Sequence, residues 1–191
     1  MRIAVLIIVL CIALSGQAYA QRYLPGMKGI QVSAGAVDGF ELNRQDGQAF
    51  CFGAAMATYT QNGNRWVFGA EYLQKNHQYG NMYIPVSQFT AEARHYFKFL
   101  SDKSKTFFMS VGASLLGGYE TVNWGKELLE DGTTIQNEDN FLYGGAVTLE
   151  TETYLNDKLV LLIGARERFL PSSSINDFHF QLNVGIKFII N

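Results

Sequence analysis

The stretch VSQFTAEARHYFKF, residues 86–99, decides how the chain is to be read. Phe89, Ala91, Ala93, Phe97 and Phe99 fall on odd positions, whereas Gln88, Thr90, Glu92, Arg94 and Tyr96 fall on even ones. Successive side chains of an extended strand point to opposite faces, so a period of two sorts these residues into an apolar and a charged set. Helical spacing does not separate them. The segment reads as a long β-strand with one greasy and one ionic face.

Working outward, the same alternation recurs in seven more blocks. Gly29–Val37 sets Ile30, Val32, Ala34 and Ala36 against Gln31, Ser33 and Gly35, and Gln48–Gln61 keeps Phe50, Phe52, Ala54 and Met56 on one side. Arg65–Leu73 opposes Trp66, Phe68, Ala70 and Tyr72 to Arg65, Gly69 and Glu71. Thr106–Glu120, Asn140–Tyr154, Lys158–Arg168 and Phe178–Ile190 repeat the pattern. The connections alternate in length. Asp38–Gly47, Gln74–Pro85, Thr121–Asp139 and Phe169–Asp177 are long, while Asn62–Asn64, Leu100–Lys105 and Leu155–Asp157 are short. An even strand count with this rhythm is that of an outer-membrane barrel, with short periplasmic turns and long exterior loops. The expectation is an all-β, eight-stranded antiparallel up-and-down β-barrel of outer-membrane type.

The two faces differ in chemistry. Glu71, Glu92, Arg94, Glu150, Glu152, Arg166, Arg168 and Lys187 share the polar faces, where charges of both signs can neutralise one another in a barrel too narrow for an open pore. Gly53, Gly69, Gly112, Gly144 and Gly164 leave room for these long side chains. Tyr59, Trp66, Tyr72, Tyr96, Tyr143 and Tyr154 stand near strand ends, as interfacial girdle residues do. A secreted barrel of lipocalin type, apolar inside and polar outside, is the competing reading of the alternation. A small-ligand pocket would not tolerate so many charges, and Asn183, Gly185, Phe188 and Ile190 are similar to the C-terminal insertion signal of membrane barrels.

Composition fits an exported barrel and excludes other classes. The chain has 191 residues, 48% of them hydrophobic, with a net charge of −2, so neither disorder nor a basic nucleic-acid surface is expected. Arg2, the apolar run Ile3–Leu14 and Ala18-Tyr19-Ala20 read as a secretory signal peptide, residues 1–20. Residues 21–28 then form an N-terminal periplasmic segment and 29–191 the barrel. Cys51 is left alone after cleavage, cannot form an internal disulfide, and packs as a small apolar residue.

Chemistry is sparse. His77, His95 and His179 do not have the spacing of a metal site, and no phosphate loop or cofactor motif occurs. His179 with Ser172, Ser173, Ser174 or Asp177 offers the groups of a small outer-membrane acyl hydrolase, although such serines and aspartates also serve as turn formers.

Several words of the sequence are more specific than its period. Gln21-Arg22-Tyr23-Leu24-Pro25-Gly26-Met27-Lys28-Gly29-Ile30 resembles the mature N-terminus of the TraO family of conjugal transfer proteins of conjugative transposons. Further resemblances lie at Gly69–Leu73, Ile84–Glu92, Gly117–Gly125, Arg166-Glu167-Arg168 and Gly185–Asn191. The resemblance implies an outer-membrane component of an envelope-spanning DNA-transfer apparatus, without catalytic residues or cofactors. Its implied partners are outer-membrane lipid and other conjugal transfer proteins, and direct nucleic-acid binding is not expected. A general surface barrel that binds a partner through its long loops, and the acyl hydrolase, are the alternatives.

Overall fold

The computed structural model describes residues 24–38, 49–79, 82–129, 132–135, 139–174 and 176–190. The signal-peptide reading of residues 1–20, and nearly all of the first long connection, lie outside them. Eight strands follow one another: β1 (Lys28–Val37), β2 (Ala49–Tyr59), β3 (Arg65–Tyr79), β4 (Met82–Ser101), β5 (Phe107–Val122), β6 (Asn140–Tyr154), β7 (Leu159–Phe169) and β8 (Phe178–Ile189). Each pairs antiparallel with the next, and β8 pairs with β1 to close an up-and-down barrel. The expected fold is the observed one.

The register fixes the shape. Partners traced once around run Ile30, Met56, Phe68, Ala93, Leu115, Gly145, Phe169, Phe178, yet the direct partner of Ile30 on β8 is Phe188, ten residues further along. With a rise of about 3.3 Å per residue and strands about 4.8 Å apart, that stagger tilts the strands by roughly 40°. The 11-residue β7 then stands about 25 Å tall, the height of the apolar band of a membrane barrel. Large apolar side chains cover the outside, including Leu115 and Phe141, both 76% exposed. The barrel is thus apolar outward, the polarity of a membrane barrel.

Inside, small apolar clusters lie at both ends. Phe108, Tyr154, Val160 and Leu162 pack near the turn end, where β2–β3, β4–β5 and β6–β7 connect. Val37, Cys51 and Leu73, and Leu116, Ala146 and Leu170, pack near the loop end. Between them the lumen is polar.

The connections depart from expectation in one place. Gln74–Pro85 is not a long loop, because β3 runs on to Tyr79, β4 begins at Met82, and the two pair through Gln74↔Ser87, Asn76↔Pro85 and Gln78↔Tyr83. The 20-residue β4 rises about 48 Å at the same tilt, so this hairpin stands far clear of the apolar band. Both its faces meet water there, and the alternation that betrays a strand disappears. Pro85 is tolerated because β5 stops pairing at Val86↔Val122, leaving β4 an edge at that height. In the tight β2–β3 turn, Asn62 and Gly63 have φ of 62° and 78°, which that residue pair adopts readily.

Candidate functional site

The even residues of β4, β6 and β7 and the odd residues of β3 and β8 point inward, so parity alone delivers Glu71, Glu92, Arg94, Glu150, Glu152, Arg166, Arg168 and Lys187 to one lumen. They form two tiers. Near the turn end, Arg65 Nη2 donates to Glu150 Oε1 at 2.6 Å, and its Nη1 lies 3.2 Å from Glu152 Oε2 and donates to Ser110 Oγ at 3.1 Å. Lys187 pairs with Glu152 and donates to Tyr59 OH at 3.1 Å. Tyr59 OH donates to Glu152 Oε1 at 3.0 Å and Tyr96 OH to Glu150 Oε2 at 3.1 Å. The Arg65 guanidinium also lies 4.1 Å from the centre of the Tyr96 ring, within cation–π range.

The middle tier is built on Glu71. Arg166 Nη1 reaches Glu71 Oε2 at 3.2 Å, while Arg168 Nη1 and Gln181 Nε2 reach Oε1 at 3.1 and 3.0 Å. Glu92 takes Arg94 and the other arm of Arg166. Arg94 Nη1 donates to Tyr96 OH at 3.1 Å and so ties the tiers together. Arg65, Arg166, Arg168, Lys187 and Glu152 are fully buried. The lumen at this level is filled by its own salt bridges.

Above these tiers lies a third arrangement. Glu120, also fully buried, accepts from Gln88 Nε2 at 2.7 Å, Ser173 Oγ at 3.0 Å, Ser174 N at 2.8 Å and Ser174 Oγ, and pairs with no cation among the described residues. Ser173 and Ser174 belong to the β7–β8 connection, so a loop is drawn down over the mouth of the barrel. Beside it, Asp38 Oδ2 accepts from Lys75 Nζ and from His179 Nδ1, each at 2.9 Å, and Oδ1 accepts from the Phe180 amide at 3.1 Å. Burial alone would raise the Asp38 carboxyl, but the bonds from His179 and Lys75 hold it at about 2.

Sequence reading had missed some of these groups. Arg65, Tyr59, Tyr96, Glu120, Gln88 and Gln181 belong to the network, and three of the expected girdle tyrosines do not belong to a girdle. Tyr59, Tyr96 and Tyr154 are buried inside, whereas Trp66 and Tyr143 are exposed outside. Parity could have found them, since Tyr96 shares its face with Glu92 and Arg94. Gly112 makes room for a ring, not for a charge: a Cβ there would lie 2.7 Å from the Tyr96 ring.

The groups of the hydrolase reading are separated. His179 faces Asp38 and not Asp177, Ser173 and Ser174 bind Glu120, and Ser172 Oγ accepts the Tyr143 amide at 3.2 Å. His77 and His95 lie apart from His179, on β3 and on the outer face of β4, where the His95 ring sits between Trp66 and Phe97, tilted against the first and edge-on to the second. No group of three potential metal ligands occurs among the described residues.

Comparison with known proteins bears on the whole barrel. A family model described as conjugative transposon protein TraO matches residues 24–190. No curated protein matches the sequence. Among solved structures, the crystal structure of Neisserial surface protein A is similar with a TM-score of 0.56 at 15% identity, covering 84% of this chain and 96% of that one. The N-terminal β-barrel domain of Pseudomonas aeruginosa OprF gives a TM-score of 0.49 at 8% identity, covering 86% of this chain and 99% of that one. Ail of Yersinia pestis, solved with a heparin analogue, gives 0.48 at 11%, covering 86% and 100%.

Proposed function

The chain belongs to the TraO family of conjugative transposon proteins, and from that membership we propose that it is an outer-membrane component of the apparatus that moves the element's DNA across the envelope. The observation that carries the reading is the extent of the match, residues 24–190, which takes in all eight strands. The match thus runs over the barrel itself.

The role is structural and interactive, without catalysis or cofactor. A lumen packed with buried ion pairs does not conduct a DNA strand, and no run of lysines and arginines offers phosphates a track. The working surfaces are then the outer wall and the loop end. Residues 1–20 serve as the export signal, 21–28 as a periplasmic segment, and the barrel of 29–191 sits in outer-membrane lipid with its long loops outside. Its protein partners are other conjugal transfer proteins.

The test pairs location with transfer. Membrane fractionation followed by electrophoresis of unheated and boiled samples is expected to give an outer-membrane band that shifts on boiling. Deleting the gene is expected to abolish conjugation, with recovery from a plasmid copy. A soluble species with no heat shift, or unchanged transfer in the deletion strain, overturns the proposal.

A further inference from the structure

Of the acidic side chains carried by the described strands, Glu71, Glu92, Glu120, Glu150 and Glu152 turn into the lumen. Glu167 alone turns out. It is exposed, and its register neighbours are Val147 on β6, 60% exposed, and Phe180 on β8, 46% exposed. One outward row nearer the loop end stands the Phe169–Phe178 pair, its rings 5.0 Å apart, and one row the other way stands Ala165 between Leu149 and Leu182. At the tilt derived above, two residues from the end of β7 place the carboxylate about 5 Å inside the apolar band. Arg166 and Arg168 on either side face inward and are committed to Glu71 and Glu92, so they do not neutralise it.

A charge on the lipid face is costly, and this one has no partner among the described residues. A divalent cation needs six or more oxygen ligands, and one carboxylate supplies at most two. Lipid headgroups lie outside the aromatic row, and a glutamate lacks the long stem with which lysine and arginine reach the interface. A second copy does not serve either. Lys28 is the cation that a described strand turns outward, and at the start of β1 it lies at the opposite edge of the band. What fits is an arginine or lysine on a membrane-facing segment of a different protein, reaching in along its own stem to make a charge-assisted pair in a dry setting.

We infer that Glu167, framed by Val147, Phe169 and Phe180, is the point on the barrel wall where a cationic side chain of another membrane-embedded transfer protein docks. The inference rests on the apparatus reading above and specifies the partner's chemistry.

The experiment uses the full chain in cells that carry the transfer apparatus. A photoreactive amino acid replaces Val147, or replaces Phe68 on β3, the strand diametrically opposite the β7 that carries Glu167, as a control. The expected result is an adduct of one size from position 147 and none of that size from position 68. Glu167→Gln keeps shape and removes charge, and is expected to lower both adduct yield and transfer frequency roughly tenfold, the scale of one lost charge-assisted pair. Glu167→Lys abolishes both, and reversing one lysine or arginine of the cross-linked partner to glutamate restores them. Should Glu167→Lys fail to insert, as the heat-shift assay would reveal, Glu167→Gln still decides. Equal adduct yields with and without the Gln substitution, or the same adduct from both walls, overturn the inference. If gene deletion abolishes transfer while Glu167→Gln leaves it intact, only the docking inference falls. If deletion leaves transfer unchanged, the apparatus reading falls as well.

Discussion

At the turn end of the lumen, Glu150 and Glu152 face Arg65 and Lys187, with two tyrosine hydroxyls completing the set. At the loop end Glu120 is just as buried, yet it is held by Gln88 and two serines of a connecting loop and by no described cation. The first arrangement joins β2, β3, β4, β6 and β8, so it exists only when the barrel is closed. The second joins the wall to one loop. Buried pairs stabilise little in net terms but are very costly to break on one side, because the remaining charge is stranded. A carboxylate served by neutral donors loses less when it is neutralised, and two of these donors, Ser173 and Ser174, belong to a segment that can turn back to water. Closure and loop placement should therefore respond to different substitutions.

The largest effect is expected from Arg65→Met. It leaves Glu150 and Glu152 to share Lys187, and stability should drop by about 3–5 kcal/mol, read from urea titration of the heat-shifted form in detergent or bilayers. Adding Glu150→Gln to that variant should recover part of the loss, because the stranded charge is removed. A drop below about 1 kcal/mol, the range of an ordinary surface pair, would sink the idea that this tier locks the barrel shut.

A smaller and local effect is expected from Glu120→Gln. The new amide can still accept from one serine but turns two donors of its own toward the others, a change worth on the order of 1–2 kcal/mol. The β7–β8 connection should become a protease-sensitive site while the urea midpoint of the barrel moves little. Were global unfolding to shift as far as with Arg65→Met, the two ends would be one cooperative unit and the contrast between them would vanish.

How much of this was readable beforehand differs between the ends for a physical reason. Parity is a covalent property of an extended chain, so Glu150, Glu152, Lys187 and Arg65 declare their face without any knowledge of their partners. The same rule placed Tyr96 beside Arg94, and only the expectation that strand-end tyrosines form a girdle obscured it. Glu120 shows its face too, but its partners are Ser173 and Ser174, and no periodicity reports where a loop will fold. The β3–β4 hairpin was missed for a related cause: Gln74 to Gln78 stand where both faces meet water, so the two-residue period carries no contrast. Period reveals strands only within the slab that distinguishes one face from the other.

Asp38 extends the contrast to a third case, a carboxylate at the rim that takes one buried and one partly exposed basic partner, and it predicts the smallest effect. At neutral pH the group is an acceptor, so His179 Nδ1 carries the proton in their hydrogen bond. Its folded value of about 2 lies below the roughly 3.9 of a free aspartate, so the unfolded chain binds the proton more readily. The stabilisation is therefore fully present above about pH 4, and it is lost as the pH falls from there towards 2. The Phe180 amide, which donates to Asp38 Oδ1, reports that titration directly through its NMR shift. Its midpoint should lie near 2, and Asp38→Asn should abolish the step and remove, at neutral pH, the modest stabilisation that the charged group supplies there. Lys75→Met should move the midpoint upward, because one of the two basic partners that hold the charge is gone. A midpoint near 4 in the unmodified chain would mean that the rim carboxylate is held no more firmly than one in water, and the clasp between β1, β3 and β8 would then not exist in solution.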